Sequence, residues 1–598
     1  MGHYNGGTGA EYGTKKIDKN VLKRLLAYAK PYSLWFLLTS VCIVVIVFLE
    51  LYQPIIIGQA SDIIIDGLKN NVDLAKHQII IKGLLYAATI VLALILTYVQ
   101  ALILSYVGQK VILTVRKDVF GHLETLSMDY FNKNPIGKLV TRATNDIETL
   151  NEMYTSVIVN VLKSIVMLLG IIITMFSYNV KLSLITFSVI PFIIIFTLIF
   201  RKVSRANYRK IRAKISSLNA FVAEHVSGMK IVQIFAAEEK MFKQFKSKTE
   251  SLKKQHIKQI WIYSIYRPSN FMLKITAWIL LLYFGGAEYL AGNITIGTII
   301  IFQRYITKFF EPIQSISEQL DIVQSASASA ERIFKLLDEE PTIKDSDGAI
   351  EIEEVKGEIE FKNVWFAYKG EDWILKDVSF KAKPGQNIAF VGATGAGKTT
   401  IQNLITRYYD IQKGQILIDG IDIKNIKLNS LRGAIGQMLQ DVFLFTGDIK
   451  SNIRLKNENI TDEEIMVAAN YVNASNFIEK LDDKYDEKVI ERGSSLSAGQ
   501  RQLLSFARTL AFKPKILILD EATANIDTET EILIQDALDK LMQNRTTLIV
   551  AHRLSTIQNS DKIIVMDAGR IKEEGSHQEL LNKQGAYFKL YQLQLQEK

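Results

Sequence analysis

The chain has 598 residues, 48% hydrophobic and 22% charged, with a net charge of +9 and a mean hydropathy of +0.13. That length and apolar content exclude a single small soluble domain and predict several domains. The one cysteine, Cys42, excludes an internal disulfide and a metal site built on cysteines.

Residues 1–18 are polar and Gly-rich, a flexible tail with no signal-peptide pattern. A bilayer-spanning helix needs about 20 mostly apolar residues. Six candidates follow within 19–338, near 33–57, 79–107, 154–178, 182–200, 260–284 and 294–312. Basic residues crowd the N-terminal segment (Lys15, Lys16, Lys19, Lys23, Arg24) and the long connections 108–153 and 201–259. The alternate loops, 58–78, 179–181 and 285–293, carry few. Positive-inside bias predicts a multi-pass protein of the cytoplasmic membrane, with both termini and both long connections in the cytoplasm. These flanking residues account for much of the net charge, so it calls for no nucleic-acid partner. Both long connections are amphipathic and read as helical extensions of the spans. Glu50, Lys163 and Lys274 fall in or near apolar runs, where charge is expensive. Glu50 suits a cationic amphiphile and the lysines a lipid phosphate, or the charges pair with each other or snorkel to an interface. Tyr98, Phe271, Trp278, Phe302 and Tyr305 either line a cavity or pack.

Residues 339–357 are acidic and polar, a linker into a second domain over 358–598. There Asn387-Ile388-Ala389-Phe390-Val391 reads as a strand. Gly392-Ala393-Thr394-Gly395-Ala396-Gly397-Lys398-Thr399 follows it and fits the phosphate-binding loop, with a helix from Thr400 onward. Glycines let successive N–H groups turn toward phosphate oxygens. This spacing assigns Lys398 to the β- and γ-phosphates and the Thr399 hydroxyl to Mg2+. A later apolar run, Lys515-Ile516-Leu517-Ile518-Leu519, reads as a buried parallel strand and ends in Asp520 and Glu521. Asp520 fits a Mg2+ contact, and Glu521 a general base for the attacking water. The expected fold is an α-helical transmembrane domain of six helices with long cytoplasmic extensions, followed by an α/β P-loop nucleotide-binding domain.

Between these motifs lies Leu496-Ser497-Ala498-Gly499-Gln500. With it the whole chain resembles the ATP-binding-cassette (ABC) transporters, whose signature is LSGGQ. The resemblance implies that Ser497, Gly499 and Gln500 meet the γ-phosphate of ATP held by an opposite protomer. It implies that Gln440 is the glutamine that senses Mg2+, and that His552 contacts the γ-phosphate. It likewise implies that Tyr368 stacks on adenine and that Asp527 closes the D-loop. Met128–Asn132 and Ala220–His225 resemble the two short coupling helices that dock on the ATPase.

The resemblance further implies a half-transporter, an ATPase that exports an amphipathic drug or lipid by alternating access within a dimer. Ala498 replaces a glycine of the common signature. The run Asp520-Glu521-Ala522-Thr523-Ala524-Asn525-Ile526-Asp527 resembles the competent subunit of bacterial heterodimeric multidrug exporters. The expected partner is therefore a distinct subunit with a degenerate ATP site, or else a second copy of this chain. Alternatives are a homodimeric lipid flippase, an importer on the exporter fold, and a nucleotide-gated channel or sensor.

Overall fold

The first half folds as long helices because its apolar runs contain few helix breakers and must satisfy their backbone internally wherever water is absent. The computed structural model describes residues 19–69, 72–455, 457–520, 528–550 and 557–596. They form two units. One runs to Glu124 and from Gly137 to Glu339; the other joins Thr125–Ile136 to the residues from Glu340 onward.

In the first unit five helical stretches are long and apolar enough to cross a membrane, among the described residues. They are Asn20–Leu68, Val72–Thr125, Ile136–Tyr178, Val180–Ser227 and Glu238–Leu290. The sixth expected span is also a helix, Ile296–Leu337, but it falls short of the same measure of hydropathy. Gln303, Arg304, Lys308 and Glu311 interrupt it. Its apolar side needs no lipid: Ile301, Phe302, Tyr305, Ile306 and Phe309 are buried against Val47, Met167, Ile171 and Leu281 of other helices. Leu37, Phe48, Leu94 and Ile173 lie exposed on the helical unit. An outward apolar surface of this extent suits a hydrocarbon solvent.

Small residues set the closest crossings. A Cβ on Gly58 would lie 2.4 Å from Ile301 Cγ1, and one on Gly297 2.3 Å from the Gly58 carbonyl oxygen. Beside them the Asp62 carboxylate accepts from the Gly297 amide at 2.7 Å. Asn179 stops the helix that ends at Tyr178 and starts the next, its side chain accepting from the Leu182 amide at 3.0 Å.

Two short helices resolve one expectation and correct another. Met128–Lys133 is a separate helix, as the sequence suggests. Ala220–His225 is not: it lies inside the continuous helix Ile190–Ser227. The separate short helix is Met229–Ile234, which begins after Gly228. The chain bends at Gly228, where glycine carries the least side-chain constraint, just beyond the segment that the resemblance pointed to.

In the second unit a six-stranded sheet has the order Arg570–Gly575, Lys562–Asp567, Asn387–Val391, Thr546–Val550, Ile516–Asp520, Ile435–Met438. All its pairings are parallel except the edge pair Lys562–Asp567 with Arg570–Gly575. A four-stranded antiparallel sheet contains Ile359–Ala367, Trp373–Ala382, Lys413–Ile418 and Ile421–Asp422. Ile388, Phe390, Ile516, Ile518 and Leu548 face it and share a core with Phe361, Phe380 and Ile416. The opposite face of the parallel sheet packs on Leu503, Phe506 and Ala507. The segment 339–357 is bound to this unit: Leu428 N donates to Asp345 at 2.8 Å, and Lys356 N to Asp419 at 2.7 Å.

Candidate nucleotide site

Parallel register aligns the strand ends that carry the motifs. Phe390 pairs with Val550, Val550 with Asp520, and Leu519 with Met438. The chain therefore leaves Val391, Asp520 and Met438 at one edge, the C-terminal edge where ligands bind in open α/β sheets. The loop 392–397 departs from Val391 and ends at the helix Lys398–Ile405.

The loop conformation requires its glycines. Gly392 has φ +149°, and a Cβ there would lie 2.2 Å from the Met566 carbonyl oxygen. Gly397 has φ +103°, and its Cβ would meet Leu375 Cδ2 at 2.7 Å. Around Gly395 the space is open, and Ala393, Thr394 and Gly395 are exposed. Ala396 and Gly397 are buried beneath them, as are Lys398 and Thr400, while Thr399 is exposed.

Lys398 is 6% exposed, and its ammonium donates to the carbonyls of Gly392 at 2.6 Å and Ala393 at 3.1 Å. Burial pushes its pKa down, and the negative charge of Asp520 partly opposes that. A buried cation facing neutral carbonyls of a loop that opens outward is a fit for an anion. The chain's own oxygen donors also fit the ion that accompanies nucleotide phosphates. Thr399 is exposed, Asp520 ends its strand half-buried, and Gln440 is exposed two residues after Met438. Mg2+ takes hard oxygen ligands and needs only one or two from protein when phosphates supply the rest. Among the described residues no cluster of three or more His, Cys, Asp or Glu suggests another metal.

Tyr368 lies 40% exposed beyond its strand, and its hydroxyl is 3.3 Å from Thr400 Oγ1. Its ring meets Tyr409 edge-on at 5.0 Å. Tyr409 is absent from the sequence reading, although the aromatic pair Tyr408-Tyr409 just beyond the loop helix is the signal. Burial raises its pKa, and its hydroxyl accepts from Asn132 Nδ2 at 2.7 Å. The short helix Met128–Lys133 is thereby tied to Tyr409, whose ring meets that of Tyr368, within one unit.

The signature segment forms a helix start. Ser497 caps Ala498–Ala511: its hydroxyl accepts from the Gln500 amide at 3.2 Å, and Gln500 Oε1 accepts from the Ser497 amide at 2.9 Å. Gln500 is thus occupied by its own helix in this structure. Gly499 is buried, whereas Ser497 and Ala498 are exposed. The Ala498 methyl therefore stands exposed among the described residues. Glu521, Asp527 and His552 lie outside the described residues.

The chain matches the family model of the ABC transporter transmembrane region over residues 36–313 and that of the ABC transporter over 375–524. It is 40% identical over 576 residues to the uncharacterized ABC transporter ATP-binding protein YknV of Bacillus subtilis, covering 96% of the chain and 94% of that relative. It is 40% identical over 522 residues to "Probable multidrug resistance ABC transporter ATP-binding/permease protein YheH" of the same organism, covering 86% and 77%. It is 34% identical over 589 residues to the ATP-dependent lipid A-core flippase of Syntrophus aciditrophicus, covering 98% and 96%. A helical membrane region and a phosphate-loop domain, matched over nearly full length, make this chain a member of the ABC transporter family, an ATP-hydrolysing membrane half-transporter of exporter type.

Proposed function

We propose that this chain is the catalytically competent half of a heterodimeric exporter that uses ATP to move an amphipathic drug or lipid out across the cytoplasmic membrane. The observation that carries the reading is the buried Lys398 ammonium in an outward-opening glycine loop, on a chain that also carries a membrane region. The printed names of two relatives, a multidrug resistance protein and a lipid A-core flippase, support the cargo class. Basic connections on one side of the spans support a cytoplasmic ATPase and cytoplasmic termini.

The N–H groups of the loop from Gly392 to Thr400, including Thr394, Gly395, Ala396 and Gly397, hold phosphate oxygens. Lys398 exchanges its loop carbonyls for the β- and γ-phosphates. Thr399, Asp520 and Gln440 hold Mg2+, which neutralises charge on the phosphates when bound. Tyr368 stacks on the adenine. Glu521 takes the proton of the attacking water, while His552 and Asp527 complete the γ-phosphate side. Ser497, Gly499 and Gln500 approach the nucleotide of the opposite protomer with a helix N-terminus. Closure of two such domains is a population shift that opens the membrane cavity outward.

The test is Glu521→Gln assembled with the partner subunit. ATP binding should persist and the dimer should close, with hydrolysis reduced on the order of a hundredfold or more. Unchanged hydrolysis overturns the general-base role. ATPase activity of the purified chain alone, equal to that of the assembled pair, overturns the heterodimer.

A further inference from the structure

Three charged side chains that the transport reading does not use meet inside the membrane region. Lys163 Nζ donates to Glu50 Oε1 at 2.8 Å. Lys308 Nζ donates to the backbone carbonyl of Glu50 at 2.7 Å. Pro54 explains the second contact. It stands inside the helix Ser33–Lys69 and has no N–H, so the carbonyl four residues earlier, that of Glu50, loses its intrahelical donor. Lys308 supplies one, and the neighbouring Tyr305 hydroxyl donates to the Leu51 carbonyl at 2.6 Å. A bare carbonyl in hydrocarbon is costly, so this capping fixes the Lys308 ammonium beside the Glu50–Lys163 pair.

The charges do not cancel. Arg304, Lys308 and Glu311 lie at i, i+4 and i+7 on the helix Ile296–Leu337 and share a face. Three cations (Lys163, Arg304, Lys308) thus stand against two carboxylates (Glu50, Glu311). Among the described residues each lysine makes one hydrogen bond with its three donors. The pair is also open: the Lys163 side chain is 37% exposed and that of Glu50 25%. The Glu50 carboxylate, already bonded by Lys163, is poorly placed to attract a second cation. Excess positive charge inside a membrane region calls for an anion.

We propose that Lys163, Lys308 and Arg304 form a subsite for the anionic headgroup, phosphate or carboxylate, of an amphiphile in the membrane region. The proposal rests on the export reading above for its transport role, and on this cluster alone for binding. The headgroup belongs either to the cargo or to a bilayer lipid.

The test uses the assembled transporter in nanodiscs of phosphatidylcholine. Binding is measured for dodecyl phosphate, laurate and dodecyltrimethylammonium, which present different headgroups on similar tails. The two anions should bind about tenfold more tightly than the ammonium. Lys308→Gln should weaken anion binding several-fold while its amide still donates to the Glu50 carbonyl. Glu50→Gln should tighten it, because it removes a negative charge and keeps an acceptor for Lys163. Opposite responses at two contacting residues are not what a purely structural role produces. Equal binding of the ammonium, or no response to either variant, overturns the subsite. In a second arm phosphatidylglycerol is added to the bilayer. Competition with dodecyl phosphate supports a lipid source, and independence supports a cargo source. Selective binding without ATP-dependent movement of the probe sinks the export reading and leaves the subsite standing. Movement without that selectivity does the reverse.

Discussion

The helical unit and the sheet-containing unit are built as opposites. The first exposes Leu37, Phe48, Leu94 and Ile173 and keeps Glu50, Lys163 and Lys308 partly covered among its helices. The second buries its apolar strands and carries most of its charge outside; among the described residues Lys398 and Arg407 are buried, Arg407 paired with Asp410. The comparison teaches one rule for two solvents: the informative residue is the charge that water has been made to leave. In the sheet unit that rule marks the phosphate loop; in the helical unit it marks buried Arg142 and Asp146 and, partly covered, the cluster around Pro54.

The largest expected effect breaks the sheet-unit half of the comparison. Lys398→Ala should lower steady-state ATP hydrolysis by about a hundredfold or more, with the circular dichroism spectrum retained. Substantial residual hydrolysis removes Lys398 from the site. Next is Gly392→Ala, where φ +149° and the Met566 carbonyl leave no room for a Cβ. It should destabilise the sheet unit by about 2–4 kcal/mol, read as a lowered unfolding midpoint for that unit alone.

The helical unit offers a matching strain test. Gly58→Leu places a side chain against Ile301 and the Gly297 carbonyl, and should cost about 1–3 kcal/mol by overpacking. Its effect should appear in the detergent stability of the membrane region and leave nucleotide affinity unchanged. A smaller change tests how Met128–Lys133 is held within the sheet unit. Tyr409→Phe keeps the ring on Tyr368 but loses the bond from Asn132, worth about 1 kcal/mol. The Asn132→Ala variant should then add nothing further in a double-mutant cycle; additive effects separate the two residues.

The smallest expected effect is a pH dependence confined to the sheet unit. Burial lowers the pKa of His577 below its ordinary 6.5, beside the Tyr587 hydroxyl at 2.7 Å. The unfolded chain therefore binds this proton more readily than the folded one. The contribution is complete above about pH 6.5 and is lost as pH falls toward the lower folded value. Urea midpoints below neutrality should drop less in His577→Gln than in the parent.

Much of this was legible in the chain. The spacing of Gly392, Gly397 and Lys398 and the apolar runs beside them announced a loop at a strand end, and register put Asp520 at the same edge. Other features escaped because they depend on partners distant in sequence. Nothing near Tyr409 announces Asn132, which lies 277 residues away. The second short helix shifted to Met229–Ile234 because local composition marks a turn only to within a few residues. Hydropathy undervalued the last long helix because it scores every face, while that helix buries the apolar one.

Sequence alone determined the two kinds of domain and the phosphate chemistry, because periodicity and motif spacing are local properties of the chain. Only the tertiary structure decided that Glu50 is held by Lys163, that its carbonyl is capped by Lys308, and that Lys398 is buried among carbonyls. Those facts depend on which side chains meet after folding, and the free energy of a charge is set by the company it then keeps.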